Sequence, residues 1–174
     1  DIFNFFMHNN IFSKVQFGFI KGRSTVLQLM KVLDEWSESL EAGGHIDVIY
    51  TDFEKAFDKI PHKRLISKLR SYKLNEEIIQ WIESFLLYRR HRVKINGVFS
   101  GWNRVLSGIP QGSILGPLLF IIYINDLVDQ CKGSYIYLYA DDAKIFKHIM
   151  NKNDRGLLTG NGNVLDSFLV ATFW

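Results

Sequence analysis

Asp141 and Asp142 stand side by side between two apolar runs. Adjacent carboxylates repel each other, and a turn between apolar strands is a poor place to screen them. A divalent cation removes that conflict. Mg²⁺ takes hard oxygen ligands, one or two protein carboxylates among them, and completes its shell with phosphate oxygens and water. A third acid, Asp52, closes another apolar stretch, Ile46-Asp47-Val48-Ile49-Tyr50-Thr51. Should the two stretches lie side by side in a sheet, three carboxylates converge at one edge. Such a cluster suits two metal ions about 4 Å apart, one activating a hydroxyl and the other steadying a leaving pyrophosphate. Blander roles stand beside this one. Asp-Asp pairs are common in solvated turns, and Asp52 would also serve as the N-cap of a helix starting at Phe53.

To bring these acids together the chain must supply strands. Residues 46–51 are rich in β-branched and aromatic side chains and read as a buried strand. Tyr135 to Tyr139 reads as a second, Ala140-Asp141-Asp142 as its turn, and Ala143 to Phe146 as the return. Around them, Ser24 caps a helix reaching about Ala42, with Val26, Met30, Leu33 and Leu40 as its apolar face and Gly43-Gly44 as its stop. Pro61 opens a second helix with Leu65, Leu69 and Tyr72 on one face. Asn75, followed by Glu76 and Glu77, starts a third, whose apolar set is Ile78, Ile79, Ile82, Phe85 and Leu86. Asn96-Gly97 between Val93-Lys94-Ile95 and Val98-Phe99 is a strong hairpin signal. Gly108 to Gly112 is a loop. Ser113 then caps a fourth helix reaching about Leu127, with Leu115, Leu118, Leu119, Ile121 and Ile122 burying one face. Strands and helices mix without regular alternation, so the expected class is α+β, an antiparallel sheet backed by helices.

With 174 residues, 47% hydrophobic and 22% charged, the composition is that of one globular domain and excludes a disordered chain. The net charge of +3 is modest, but Arg89, Arg90, His91, Arg92 and Lys94 form a compact basic run, with a looser one at Lys14, Lys21 and Arg23. Such clusters suit phosphate backbones, although a solvated face has the same composition. The single Cys131 leaves no internal disulfide and no disulfide-linked partner is expected, which points to an intracellular protein. The first residues carry no secretory leader. The longest apolar stretch, 118–124, falls short of the roughly 20 residues of a membrane span.

Four stretches in order carry a family resemblance. Tyr50-Thr51-Asp52-Phe53-Glu54-Lys55-Ala56-Phe57-Asp58 resembles motif A of the non-LTR (LINE-type) reverse transcriptases. Gly108-Ile109-Pro110-Gln111-Gly112-Ser113-Ile114-Leu115-Gly116-Pro117 resembles their motif B, and Tyr139-Ala140-Asp141-Asp142 their motif C. Gln16-Phe17-Gly18-Phe19-Ile20-Lys21-Gly22-Arg23-Ser24-Thr25 is similar to the fingers-side motif that precedes motif A. The resemblance implies a right-hand polymerase palm with part of the fingers and no thumb: residues 1–155 as a partial reverse transcriptase domain, 1–44 fingers-side and 45–150 palm. It implies RNA-directed DNA synthesis from dNTPs on a DNA primer and an RNA template, in the nucleus, with two Mg²⁺ ions for which Mn²⁺ can substitute. Asp52 and Asp141 would be direct metal ligands with Asp142 close by as the third catalytic acid, and the backbone carbonyl of Phe53 would reach a metal. Phe57 would exclude a ribose 2′-hydroxyl, and Gln111 would meet the incoming nucleotide or template. Arg23, Gly112, Tyr139, Arg89, Arg90 and Arg92 would face nucleic acid.

Two rival readings follow from the same residues. A viral-type RNA-directed RNA polymerase shares the palm, but commonly places Asp where this chain has Phe57 and Gly where it has Ala140. A decayed or repurposed nucleic-acid-binding fragment without catalysis is favoured by the far end. There Gly156-Leu157-Leu158-Thr159-Gly160-Asn161-Gly162-Asn163-Val164 is too glycine-rich for the helix the family resemblance calls for. Residues 156–174 therefore read as an atypical tail, entered by a frame shift near Arg155, and weak or no activity is expected of the chain alone.

Overall fold

The structure is a computed structural model describing residues 2–131, 133–151 and 154; the tail expected at 156–174 lies outside them. In chain order the elements are α1 (Ile2–His8), α2 (Thr25–Glu41), β1 (His45–Thr51), α3 (His62–Ser71), α4 (Glu76–Leu86), β2 (Arg90–His91), β3 (Lys94–Ile95), β4 (Val98–Phe99), β5 (Asn103–Arg104), α5 (Leu115–Ile124), a 3₁₀ turn (Asn125–Gln130), β6 (Tyr135–Tyr139) and β7 (Asp142–Ile149). They form two compact units interleaved along the chain. One comprises Asp1–Ile11 with Lys55–Tyr123, the other Phe12–Glu54 with the described part of the chain from Ile124 onward.

The second unit is built on a three-stranded antiparallel sheet in the order β1-β7-β6. β1 pairs with β7 along its whole length, from His45 opposite Ile149 to Thr51 opposite Ala143. β6 and β7 form a hairpin from Tyr135 opposite Phe146 to Tyr139 opposite Asp142. Side chains alternate across the pleat. On one face Tyr137 and Phe146 join Phe17 and Val32 in a buried cluster, with Trp36, Ile46, Val48 and Tyr139 packed around it. On the other, Ile136, Leu138, Ala143 and Ile145 are all buried.

The helix laid over this sheet departs from expectation in its phase. α2 starts as read, with Ser24 Oγ accepting from the Leu27 amide at 3.2 Å. Yet Val26, Met30, Leu33 and Leu40 are exposed, Val26 by 62% and Met30 by 56%, while Gln28 and Val32 are buried. Hydrophobic periodicity weighs every apolar residue alike, whereas the sheet selects the row holding the largest anchor. That row carries Trp36, edge-on to Phe146 at 5.8 Å, and Glu35, whose Oε1 accepts from the Tyr137 hydroxyl at 2.6 Å. Burial, and then Glu35, push the Tyr137 phenol upward, so it stays the donor.

The first unit packs α3 against α4 through Leu65, Leu69, Ile79, Ile82 and Leu86, all fully buried. Pro61 is the N-cap of α3 rather than its first residue, and Asn75 caps α4 by accepting from the Glu77 amide at 2.7 Å. From α1, Phe6 meets Tyr72 edge-on at 5.4 Å. The β3–β4 hairpin forms at Asn96-Gly97, with φ of 48° and 85°, the two left-handed residues of a type I′ turn. α5 differs from the reading in two ways. Leu119, Phe120, Ile121 and Ile122 are consecutive and all buried, so it is enclosed on more than one face. It also stops at Ile124, short of Leu127, where the chain tightens into the 3₁₀ turn. Among the described residues no helix is long and apolar enough to cross a membrane.

The Tyr137–Glu35 bond gives a direct test of how α2 is held. The other oxygen of Glu35 is buried without a hydrogen-bond partner among the described residues, so Tyr137→Phe leaves the carboxylate stranded. A loss of about 1–3 kcal/mol is expected, read as a lowered urea midpoint; an unmoved midpoint contradicts it.

Candidate active site at the end of the three-stranded sheet

The sheet register places the acids. Because Thr51 lies opposite Ala143, the next residue along each strand, Asp52 and Asp142, falls at the same sheet end. Thr51 Oγ1 also donates to the Ala143 carbonyl at 3.4 Å. The turn between β6 and β7 is two residues long, Ala140 and Asp141, closed by the Tyr139–Asp142 pair. Asp142 is thus the first residue of β7 and not part of the turn, and β7 runs on to Ile149, three residues past the expected end. No helix follows Asp52; the next begins at His62, which removes the N-cap role.

Asp52 and Asp142 are exposed and Asp141 is half-buried. Partial burial, then the charge of Asp141, then that of Asp52, push the Asp142 carboxyl above the ordinary carboxylate range. Asp141 and Asp52 therefore act electrostatically on Asp142. Asp52 and Asp142 line a cavity of about 370 Å³ whose wall includes Thr25, Tyr50, Tyr139 and Lys144. Lys144 rests its ammonium over the Tyr50 ring, 5.3 Å from the centroid. The donor chemistry fits a hard divalent cation: carboxylate oxygens, uncompensated repulsion and open access. As the side chains stand, no three acids, histidines or cysteines among the described residues form a closed ligand set, so ligation requires the carboxylates to turn inward.

The segment 13–23 underlies the turn. Phe17 donates its amide to the Leu138 carbonyl at 2.7 Å and Leu138 donates to that of Val15 at 2.9 Å, a parallel bridge against β6. Arg23, read as a nucleic-acid contact, points instead at the chain's own backbone. Its guanidinium donates to the Ser13 carbonyl at 2.6 Å and to the Gln16 carbonyl, and burial lowers its pKa.

The remaining expected residues lie in the other unit. Phe57 is half-buried and stacks on Phe120, centroids 4.6 Å apart. Gln111 is exposed, its amide nitrogen donating to Asp58 Oδ1 at 3.2 Å. Gly112 has a φ of +81° with open space where a side chain would be. Gly108, at φ +82°, lies so close to Asp58 that a Cβ would sit 2.6 Å from its carbonyl oxygen. The Gly108 amide donates to Ile60 at 2.8 Å and the Ile109 amide to Phe57 at 2.9 Å. His62 Nε2 and Arg89 Nη2 both donate to the Gly108 carbonyl, at 2.7 and 2.6 Å. The loops carrying Phe57 and Gln111 are thus bolted together. Arg89 is consumed in the bolt and desolvation lowers its pKa, so of the basic run Arg90, His91, Arg92 and Lys94 are the exposed members. Arg92 lies over Phe99 at 3.7 Å and Trp102 at 4.5 Å. His62, Asp58, Gln16 and Gly18 are positional residues that sequence reasoning did not single out.

An antiparallel sheet with one acid in a hairpin turn, a second opening the strand that follows and a third just past the end of the neighbouring strand defines a polymerase-palm type of fold. The solved telomerase of Candida tropicalis, in complex with a fragment of telomeric RNA, superposes with a TM-score of 0.67 at 13% identity, over 88% of this chain and 29% of that one. Residues 2–168 match the family described as reverse transcriptase (RNA-dependent DNA polymerase). The probable RNA-directed DNA polymerase from transposon BS of Drosophila melanogaster is 30% identical over 82% of this chain, and the RNA-directed DNA polymerase from mobile element jockey of Drosophila funebris is 34% identical over 76%. This chain spans 17% and 15% of the length of those two relatives. It belongs to the reverse transcriptase family, in its non-LTR retrotransposon branch.

The coupling among the acids predicts a sign. A raised carboxyl pKa means that the folded state holds the Asp142 proton more tightly than the unfolded chain. The stability this gives is present at low pH and is lost as pH rises through the raised value. In a chelator above that value, Asp142→Asn should therefore raise the urea midpoint and flatten that decline, and Mn²⁺ should stabilise the native chain more than the variant. Equal midpoints and slopes for the two proteins count against the coupling.

Proposed function

We propose that this chain is the nucleotidyl-transfer centre of an RNA-directed DNA polymerase, joining dNTPs to a DNA primer on an RNA template. The observation that carries the reading is the convergence of Asp52, Asp141 and Asp142 at one sheet end, where the charges of Asp141 and Asp52 bear on Asp142. Two divalent ions held there, Mg²⁺ or Mn²⁺, would supply a more acidic primer hydroxyl and charge neutralisation at the triphosphate. Asp52 and Asp141 are the ligands in this reading, with Asp142 beside them and the Phe53 carbonyl as a further oxygen donor.

The other unit would supply selection. Stacking on Phe120 fixes the plane of Phe57, which suits a ring that leaves room for deoxyribose and none for a 2′-hydroxyl. Gln111 has an amide able both to donate and to accept toward a base pair, beside the open backbone of Gly112. Arg90 and the aromatic-flanked Arg92 would follow the nucleic-acid backbone, Arg92 combining charge with stacking. Tyr139 would brace the primer side of the turn. Arg23 and Arg89 act in this reading through the loops they hold. Residues 1–44 would serve as a fingers-side segment and 45–150 as the palm.

Primer extension on an RNA template, by the polymerase carrying this segment, tests the assignment. Asp52→Ala and Asp141→Ala should each reduce extension by orders of magnitude, since each removes a metal ligand; extension surviving either change refutes the site. Phe57→Ala should admit ribonucleotides, and unaltered sugar selectivity would defeat the gate.

A further inference from the structure

Ala140, the first residue of the turn that presents Asp141, has a φ of +54° while Asp141 keeps a negative φ. A positive φ at the first loop residue alone is the pattern of the type II′ class, where glycine is the preferred occupant. An L-residue with a Cβ seldom adopts it unaided. Something outside the turn must hold it.

Gln16 touches both polar groups of that residue. Its Oε1 accepts from the Ala140 amide at 3.0 Å and from the Gly18 amide at 2.7 Å, and its Nε2 donates to the Ala140 carbonyl at 3.4 Å. Two N–H groups converging on one atom identify that atom as the oxygen. Gln16 is only 1% exposed, so water has no room to replace these bonds. Gly18 closes the other side. A Cβ there would lie 2.2 Å from the Ala140 nitrogen and 2.9 Å from its Cα, so the two backbones are in contact. Gln16 is itself held, its carbonyl gripped by Arg23 and its neighbours Val15 and Phe17 hydrogen-bonded to Leu138.

We propose that Gln16, seated by Gly18 and Arg23, is a positioning residue that locks the Ala140–Asp141 turn so that the carboxylates stay poised for a divalent cation. The proposal rests on the reading of Asp52, Asp141 and Asp142 as cation ligands. Repulsion among those acids favours a relaxed turn that carries Asp141 away; the buried amide opposes it from beneath. A lock on the backbone acts whether or not the cation is bound, which makes the site ready before the ion arrives.

The test is Mn²⁺ binding to this chain, followed by electron paramagnetic resonance, with circular dichroism and urea denaturation recorded on the same samples. Gln16→Met keeps length and volume but no hydrogen bond. It should weaken Mn²⁺ binding by about tenfold or more, the usual effect of losing a group that orients a metal ligand, and speed amide exchange at Ala140. Adding Ala140→Gly should restore most of the affinity, because glycine holds this turn without help. A purely structural role would instead lower the urea midpoint and leave the affinity of the folded protein alone; unaltered affinity in folded Gln16→Met overturns the proposal. Should Gln16→Met not fold, Gln16→Asn, one methylene shorter, is read with and without Ala140→Gly, and equal affinities across that pair overturn it likewise. Asp141→Ala separates the two readings. If it abolishes Mn²⁺ binding while Gln16→Met does not weaken it, the lock alone fails. If Asp141→Ala and Asp52→Ala both bind as the native chain does, the cation reading fails and the lock's role falls with it.

Discussion

Repulsion between like charges is the constraint around which the acid-bearing unit is arranged. Three carboxylates meet at the end of one sheet, and the upward shift at Asp142 comes first from partial burial and then from the charges of Asp141 and Asp52. The chain answers that repulsion with backbone rather than with counter-charge. The β1–β7 ladder runs without interruption to Thr51–Ala143, so strand pairing fixes the backbone up to the residue before Asp52. The turn carrying Asp141 is held from beneath by a buried amide. Lys144, which lines the same cavity, rests over Tyr50. A lysine paired with the acids would satisfy them permanently and compete with a cation; polar backbone clamps constrain position while leaving the charge free to bind.

The same economy governs the other unit. Gly108 lets its loop approach Asp58 to a distance no side chain would permit, and its carbonyl then takes donors from both His62 and Arg89. One close backbone crossing thereby ties together the loops bearing Phe57 and Gln111. In both units a glycine admits the contact and a polar side chain secures it: Gly18 with Gln16 in one, Gly108 with His62 in the other. Neither Gln16 nor His62 needs to meet a substrate to matter for the chemistry proposed here.

Local signals in the sequence were legible where a short-range rule determines the outcome. The caps at Ser24 and Asn75 and the Asn96-Gly97 hairpin form as read, and the strands flanking the acids form where expected, although β7 is longer and β1, read as buried, is mostly half-buried. The convergence of three carboxylates was legible too, because pairing two apolar strands with acids at their ends leaves few arrangements. What failed depended on partners distant in sequence. The phase of α2 was set by Trp36 and by the Glu35–Tyr137 bond across 102 residues, which no window of periodicity contains. α5 was read as amphipathic, yet it is enclosed on several sides, a fact that uniform hydrophobicity should have announced. Gln16 bonds to a residue 124 positions away, and a lone glutamine before a Phe-Gly pair gives no local sign of it.

Basic residues show the same gap between composition and use. Arg23 and Arg89 belong to the two clusters that suggested nucleic-acid contact, yet both guanidiniums are turned onto backbone carbonyls and desolvated. An arginine fork is well suited to that work, since its five donors can hold two carbonyls at once while keeping charge. Arg92 is different: it is exposed and laid against Phe99 and Trp102. A cation held flat on aromatic rings keeps its position without neutralising carboxylates, so its field remains available to phosphate. The net charge of +3 therefore understates the polarity of the molecule in the proposed function. Negative charge is concentrated where cations are needed, positive charge is exposed on the hairpin segment, and part of the remaining basic charge is spent on holding loops.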